Sequence, residues 1–248
     1  MKTNCLITVL CVSLLYGHAQ TSKEKIVATK EITWYGLDFS NQKLVGEKDD
    51  YQIYDLLYEL GDMNRAIVAE SQKYNLKKTF RKNVVSIDLS VAEDQLYKLD
   101  LDNVYKICDP DSIRISESSI QQIVHSYNYD KNDRTISSTA PSKSSGFRLH
   151  ANPGMTFRTG SHPGIGLVFL MEYLDKNLKE VSLVAVFFDI PSKKVLHTER
   201  IIAKPSGGWF RNYYMGAIKD VLSQLGTAYS YWRYEAAKEY RDAGKPTK

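Results

Sequence analysis

Two apolar runs, Ile165 to Leu174 and Val181 to Ile190, constrain this chain more than any other feature. Each is strand-length, and each is apolar at nearly every position rather than at alternate ones. Both read as strands of one sheet covered by helices. The polar turn Asp175-Lys176-Asn177-Leu178-Lys179-Glu180 joins them, and Pro191-Ser192-Lys193-Lys194 turns the chain into a third strand, Val195 to Ala203. The pattern predicts an antiparallel three-strand meander. Pro205-Ser206-Gly207-Gly208 ends it. A helix of about 17 residues is expected from near Trp209, burying Trp209, Ala217, Ile218, Val221, Leu222 and Leu225. A second amphipathic helix is expected over 227–241, and the tail 242–248 reads as loose.

Upstream, strands and helices alternate. Glu31 to Phe39 reads as a strand ending at the turn Ser40-Asn41. Residues 49–80 carry a helical stripe at Ile53, Leu56, Leu57, Leu60, Met63, Ile67 and Val68. Asp49 and Asp50 suit its N-terminus, and Gly61 marks a break or a close packing point. Val85 to Leu89 alternates as a half-buried strand, and a short helix follows at 91–98. A brief strand is expected at Val104 to Cys108, before Asp109-Pro110. Ser116 caps a helix whose inward residues are Ile120, Ile123, Val124 and Tyr127. Residues 20–30 are polar and read as frayed. Together these elements give an α+β (mixed α/β) fold: one largely antiparallel sheet covered by amphipathic helices, with a C-terminal meander followed by two helices.

The first residues have the order of an export signal. Lys2 is followed by the apolar run Cys5 to Leu15, then by small residues at Gly17 and Ala19 before Gln20. That run is about 11 residues, short of the roughly 20 that a membrane helix needs. The expected organisation is a signal peptide at 1–19, one domain over 20–241 and a tail at 242–248. The Ser-rich stretch 128–146 is a flexible surface loop, with a linker between two lobes as the alternative. Gln20 stands where a lipid-modified Cys would be required, so the mature chain is expected to be soluble, without a lipid anchor or transmembrane segment. It would lie in the periplasm or outside the cell.

Cys5 and Cys11 would leave with the signal, so Cys108 alone remains and no disulfide inside the chain is available. A small buried hydrophobe is the plain reading of Cys108. A nucleophile or a pairing between chains is the alternative. Net charge is +4, too small and too dispersed to point to nucleic acid.

From Val181 to Leu225 the order is two strands with a Pro-Ser-Lys-Lys turn, Gly207-Gly208-Trp209 and an amphipathic helix. This resembles the envelope α/β domain family that includes the curli-secretion lipoprotein and the TolB amino-terminal domain. Thr33-Trp34-Tyr35-Gly36-Leu37-Asp38-Phe39-Ser40 is also similar to the start of uncharacterised exported bacterial proteins. The resemblance covers about a third of the chain and carries no catalytic motif. It implies non-catalytic envelope assembly or partner binding, with another envelope protein as the partner. The chain lacks the lipid-anchor Cys and the pore-forming segments of the curli channel.

Chemistry-bearing residues are sparse. His125, His150, His162 and His197 show no metal-ligand spacing, though His150 and His162 would meet if 146–166 folded back. Gly160-Ser161-His162-Pro163-Gly164-Ile165-Gly166 precedes a strand, the wrong context for a dinucleotide loop, and reads as a turn. Ser206-Gly207-Gly208 precedes a helix, where free N–H groups hold an anion or simply start the helix. Asp38 and Asp88 end strands, as a carboxylate pair or as turn formers. Trp209, Arg211, Tyr213 and Tyr214 cluster at one helix start and are of the types that anchor interfaces, although core packing explains them too. No metal or cofactor is implied. The expected function is a partner-binding or assembly module. A hydrolase with its site on loop 146–166 and a small-ligand or lipid carrier are the alternatives.

Overall fold

The computed structural model describes residues 21–45, 56–104, 113–127, 156–157 and 164–242. The expected export signal at 1–19, positions 105–108 of the strand expected at Val104 to Cys108, and the Ser-rich stretch 128–146 lie outside the described residues. So do Ile53, His150, His162 and the tail 243–248.

The apolar runs form the sheet. β5 (Ile165–Asp175), β6 (Glu180–Asp189) and β7 (Val195–Ala203) pair antiparallel in sequence order, the expected meander. β1 (Glu31–Asp38) joins β5 on its other side in parallel. β2 (Lys43–Val45) continues beside β5 where β1 leaves it. β3 (Val84–Ile87) pairs with β1, and β4 (Thr156–Phe157) with β3, again in parallel. The sheet order is β4-β3-β1-β5-β6-β7. Its long ladders are antiparallel, and its short N-terminal strands are parallel.

Helices cover both faces, which is why β5 is buried along its whole length. On one face lie α1 (Ser22–Ala28), α2 (Leu56–Ala69), α3 (Leu76–Thr79) and α7 (Phe210–Asp242). They bury Ile26, Leu60, Ile67, Ile218, Val221 and Leu225 against Trp34, Leu167, Phe169, Leu183 and Phe187. On the other face α6 (Glu117–Ser126) packs Ile120, Val124 and the following Tyr127 against Tyr35, Val168, Leu170, Val186 and Phe188. α4 (Ser90–Tyr97) contributes Val91 to this second core and Leu96 to the first. α5 (Leu101–Val104) stands where a strand was expected to begin.

Three further expectations are corrected. Residues 22–28 are not frayed. Thr21 and Glu24 form a reciprocal capping box, and Ile26 is fully buried. The Lys82 ammonium then donates to the carbonyls of Ile26, Val27 and Thr29 at 2.7, 3.1 and 2.5 Å, closing the C-terminal end of α1. The helix expected over 49–80 is two helices, α2 and α3, and α2 runs straight through Gly61. The two helices expected after the meander are one helix of 33 residues.

β1 carries a register shift between Trp34 and Leu37, with Gly36 at φ +97°. Asn64 on α2 satisfies the displaced backbone: its Oδ1 accepts from Leu37 N–H at 2.6 Å and its Nδ2 donates to Leu37 C=O at 2.9 Å. A Cβ on residue 36 would stand 2.8 Å from that Oδ1, so only glycine fits.

Candidate functional site

The connection from β7 to α7 is held against the helix it leads into. Ser206 N–H donates to Tyr213 C=O at 3.0 Å, and Tyr213 N–H donates to Trp209 C=O at 2.9 Å. Ser206 lies directly on Gly216, where a Cβ would stand 2.2 Å from Ser206 O. At the end of this clamp Trp209 takes φ +63° and is 91% exposed. A bulky residue in the left-handed region is an outlier that the surroundings must enforce. Trp209 was expected in the core. It stands one residue before the helix, and the buried stripe of α7 begins only at Tyr214.

The four residues of the expected cluster therefore separate. Tyr214 is core, 2% exposed and edge-on to Phe210 and Tyr213 at centroid distances of 4.9 and 5.1 Å. Arg211 ties α7 to α2, with Nε 2.6 Å from Asp62 Oδ2 and Nη2 donating to Glu70 Oε1 at 3.1 Å. Trp209 is left as the exposed ring, with half-buried Tyr213 and Phe210 beside it. Burial pushes the Tyr213 phenol above its ordinary value. The surface is an exposed aromatic projection on a hydrogen-bonded backbone turn. Gly216→Ala is expected to lift Ser206 from the helix and cost about 1–3 kcal/mol. A lower urea midpoint and a shifted tryptophan emission would register it.

Asp38 and Asp88 do not form a pair. Asp88 N–H donates to Trp34 C=O, which sets Asp88 level with Tyr35, well short of Asp38 along β1. Asp88 accepts from Ser90 N–H and Oγ–H at 3.2 and 2.5 Å, as a turn former. Asp38 is 1% exposed and accepts from Tyr127 Oη–H at 2.6 Å and Ser40 N–H at 2.8 Å. No group of three or more His, Cys, Asp or Glu residues placed to hold a metal occurs among the described residues. Of loop 146–166 the structure describes only 156–157 and 164–166. A cavity of about 410 Å³ lies elsewhere, between α6 and β7, lined by Glu117, Ile120, Gln121 and Val195 to Thr198.

Sequence reasoning missed the buried charges. Glu172 sits within the apolar run of β5, 1% exposed, and Lys82 and Lys193 are also buried. Glu172 is the one charged residue between Ile165 and Leu174, and that was its available signal.

The geometry defines a mixed α/β domain with a clamped, outward-facing aromatic corner. No family model matches the chain, and no curated protein or solved structure matches it. Among the described residues no helix is long and apolar enough to cross a membrane.

Proposed function

We propose that this is an exported, non-catalytic protein of the cell envelope that binds another envelope protein through the corner formed by Trp209, Phe210 and Tyr213. Trp209 carries the reading. A tryptophan at 91% exposure, in a backbone conformation it disfavours, gives nothing to the core. Tryptophan and tyrosine are frequent anchors of protein interfaces, and a backbone turn already held in place has less chain entropy to lose on docking. The order of Lys2, the apolar run and Ala19 supports export. The resemblance of 181–225 to the envelope α/β family supports assembly rather than catalysis. We read the mature protein as soluble in the periplasm or outside the cell.

Trp209→Ala tests this. Because the ring is exposed, the change is expected to move stability by less than about 0.5 kcal/mol. In-cell cross-linking from positions 210 and 213 is expected to capture one envelope protein with Trp209 present and to lose it with alanine. Capture that is indifferent to the ring would remove the basis of the proposal.

A further inference from the structure

A second surface, independent of Trp209, lies along the outer edge of β7. This strand ends the described sheet. Side chains already occupy its two extremities: Val195 N–H donates to Gln121 Oε1, and Ile202 C=O accepts from Gln224 Nε2, each at 3.3 Å. Both groups point away from β6. Backbone direction alternates with a period of two along an antiparallel ladder. In the register Ser182↔Ile202, Val184↔Arg200 and Val186↔Thr198, the N–H and C=O of Arg200 and Thr198 therefore face outward as well. Among the described residues these four groups have no backbone partner beyond the strand.

The cavity between α6 and β7 runs beside this stretch, with Ile120 on its wall and Glu117 and Gln121 flanking it. The free charge on the strand itself is acidic, with Lys23 of α1 within electrostatic reach of the adjoining His197. Arg200 is engaged by Glu172 through Nε and Nη2 at 2.9–3.1 Å. Glu199 lies on the same strand at 39% side-chain exposure, touching only the His197 ring at 3.2 Å among its described side-chain contacts.

We propose that this edge accepts an extended segment of a partner protein as an added antiparallel strand. A lysine or arginine lies opposite Glu199, and a neighbouring apolar side chain enters the groove over Ile120. Main-chain bonds to Thr198 and Arg200 supply affinity, and the groove and Glu199 supply selectivity. The same geometry disfavours a second copy of this chain. Pairing Thr198 with Arg200 across a two-fold axis puts Glu199 opposite Glu199 in the close, non-hydrogen-bonded position, where like charges destabilise.

The test uses two blocked fluorescent peptides, Thr-Thr-Val-Lys-Val-Thr-Thr and its twin with Glu for Lys, measured by anisotropy. The wild-type chain is expected to prefer the Lys peptide by about fivefold, and Glu199→Lys to reverse the order. Thr198→Pro removes an outward N–H, which an edge strand tolerates, and is expected to weaken both peptides by about tenfold. Trp209→Ala leaves all of these affinities unchanged, which separates this edge from the aromatic corner. Should Thr198→Pro fail to fold, the charge reversal at Glu199 decides alone. Equal affinity for the two peptides, or no binding at millimolar concentration, overturns the proposal. A dimer in sedimentation that Glu199→Lys strengthens would replace the peptide with a second copy.

Discussion

Glu172→Ala is expected to destabilise the protein by about 3 kcal/mol or more, read as a fall in urea midpoint at neutral pH. The carboxylate is 1% exposed and is shared by three elements. Its Oε1 accepts from Ile115 N–H at 2.8 Å, at the entry to α6, and its Oε2 accepts from Ser182 Oγ–H on β6 at 2.7 Å. Arg200 on β7 completes the set and donates through Nη2 to Ile115 C=O at 2.9 Å. Removing the carboxylate leaves a buried N–H and a buried hydroxyl without partners, and a guanidinium without its counter-charge. Arg200 is 35% exposed and regains some water, so the expected loss sits at the lower end for a broken buried pair. The double change Glu172→Met with Arg200→Met discards both charges and is expected to recover a large part of the loss. If the single change is neutral, the network does not hold α6 on the sheet.

That network also marks where the sequence stops being legible. The meander was readable because β5 and β6 are apolar at almost every position and are bounded by polar turns. The capped helix at Ser116 was readable because cap and stripe agree. Which strands become neighbours is a different matter. A strand's own pattern reports how many of its faces are covered, not its partner, so the parallel joining of β1 to β3 and β5 had no local signal. At α1 the capping box Thr21-x-x-Glu24 was present, but the polar composition around Ile26 outweighed it. The break expected before the helix over 227–241 does not occur: a Cβ on Gly226 would meet Thr79 only at 3.7 Å, and one helix runs through the position. Trp209 was misplaced because its type favours burial. Its exposure follows from a left-handed backbone turn set by Ser206 and Gly216, which no hydrophobic period encodes. At the candidate site, the cluster of residue types was visible. Which member is core, which is an ion-pair strut and which is surface emerged only from the packing of α7 on α2.

Raising the pH above about 10 is expected to unfold the protein cooperatively, through its buried tyrosines. The chain has 17 tyrosines, and Tyr35, Tyr127 and Tyr229 are at most 5% exposed. Burial, reinforced by the Asp88 charge, pushes Tyr35 far above the ordinary value of 10.0. Burial raises Tyr127 well above its ordinary range, and the adjoining Asp38 carboxylate adds to this. Burial pushes Tyr229 up to about 12, with Arg233 and Arg81 working against the rise. In the unfolded chain these phenols ionise near 10, while in the native state they keep their protons. Their contribution is thus fully present below pH 10 and is lost as pH rises toward the native values. Tyr229 alone accounts for about 2 kcal/mol by pH 12. Lys82 acts in the opposite sense at lower pH. Burial, with Arg233 nearby, pulls it from 10.5 down to about 8, so the unfolded chain holds more protons between those values and stability rises there. The expected profile climbs gently from pH 8 and then collapses above 10, with tyrosinate absorbance appearing in step with the loss of structure. Tyr229→Phe gives up only a 3.5 Å contact from the hydroxyl to Val27 C=O, so it should cost little at neutral pH and shrink the alkaline collapse. Native-state titration of all the tyrosines near pH 10, with the fold intact, would show that these rings are wet rather than part of the two cores.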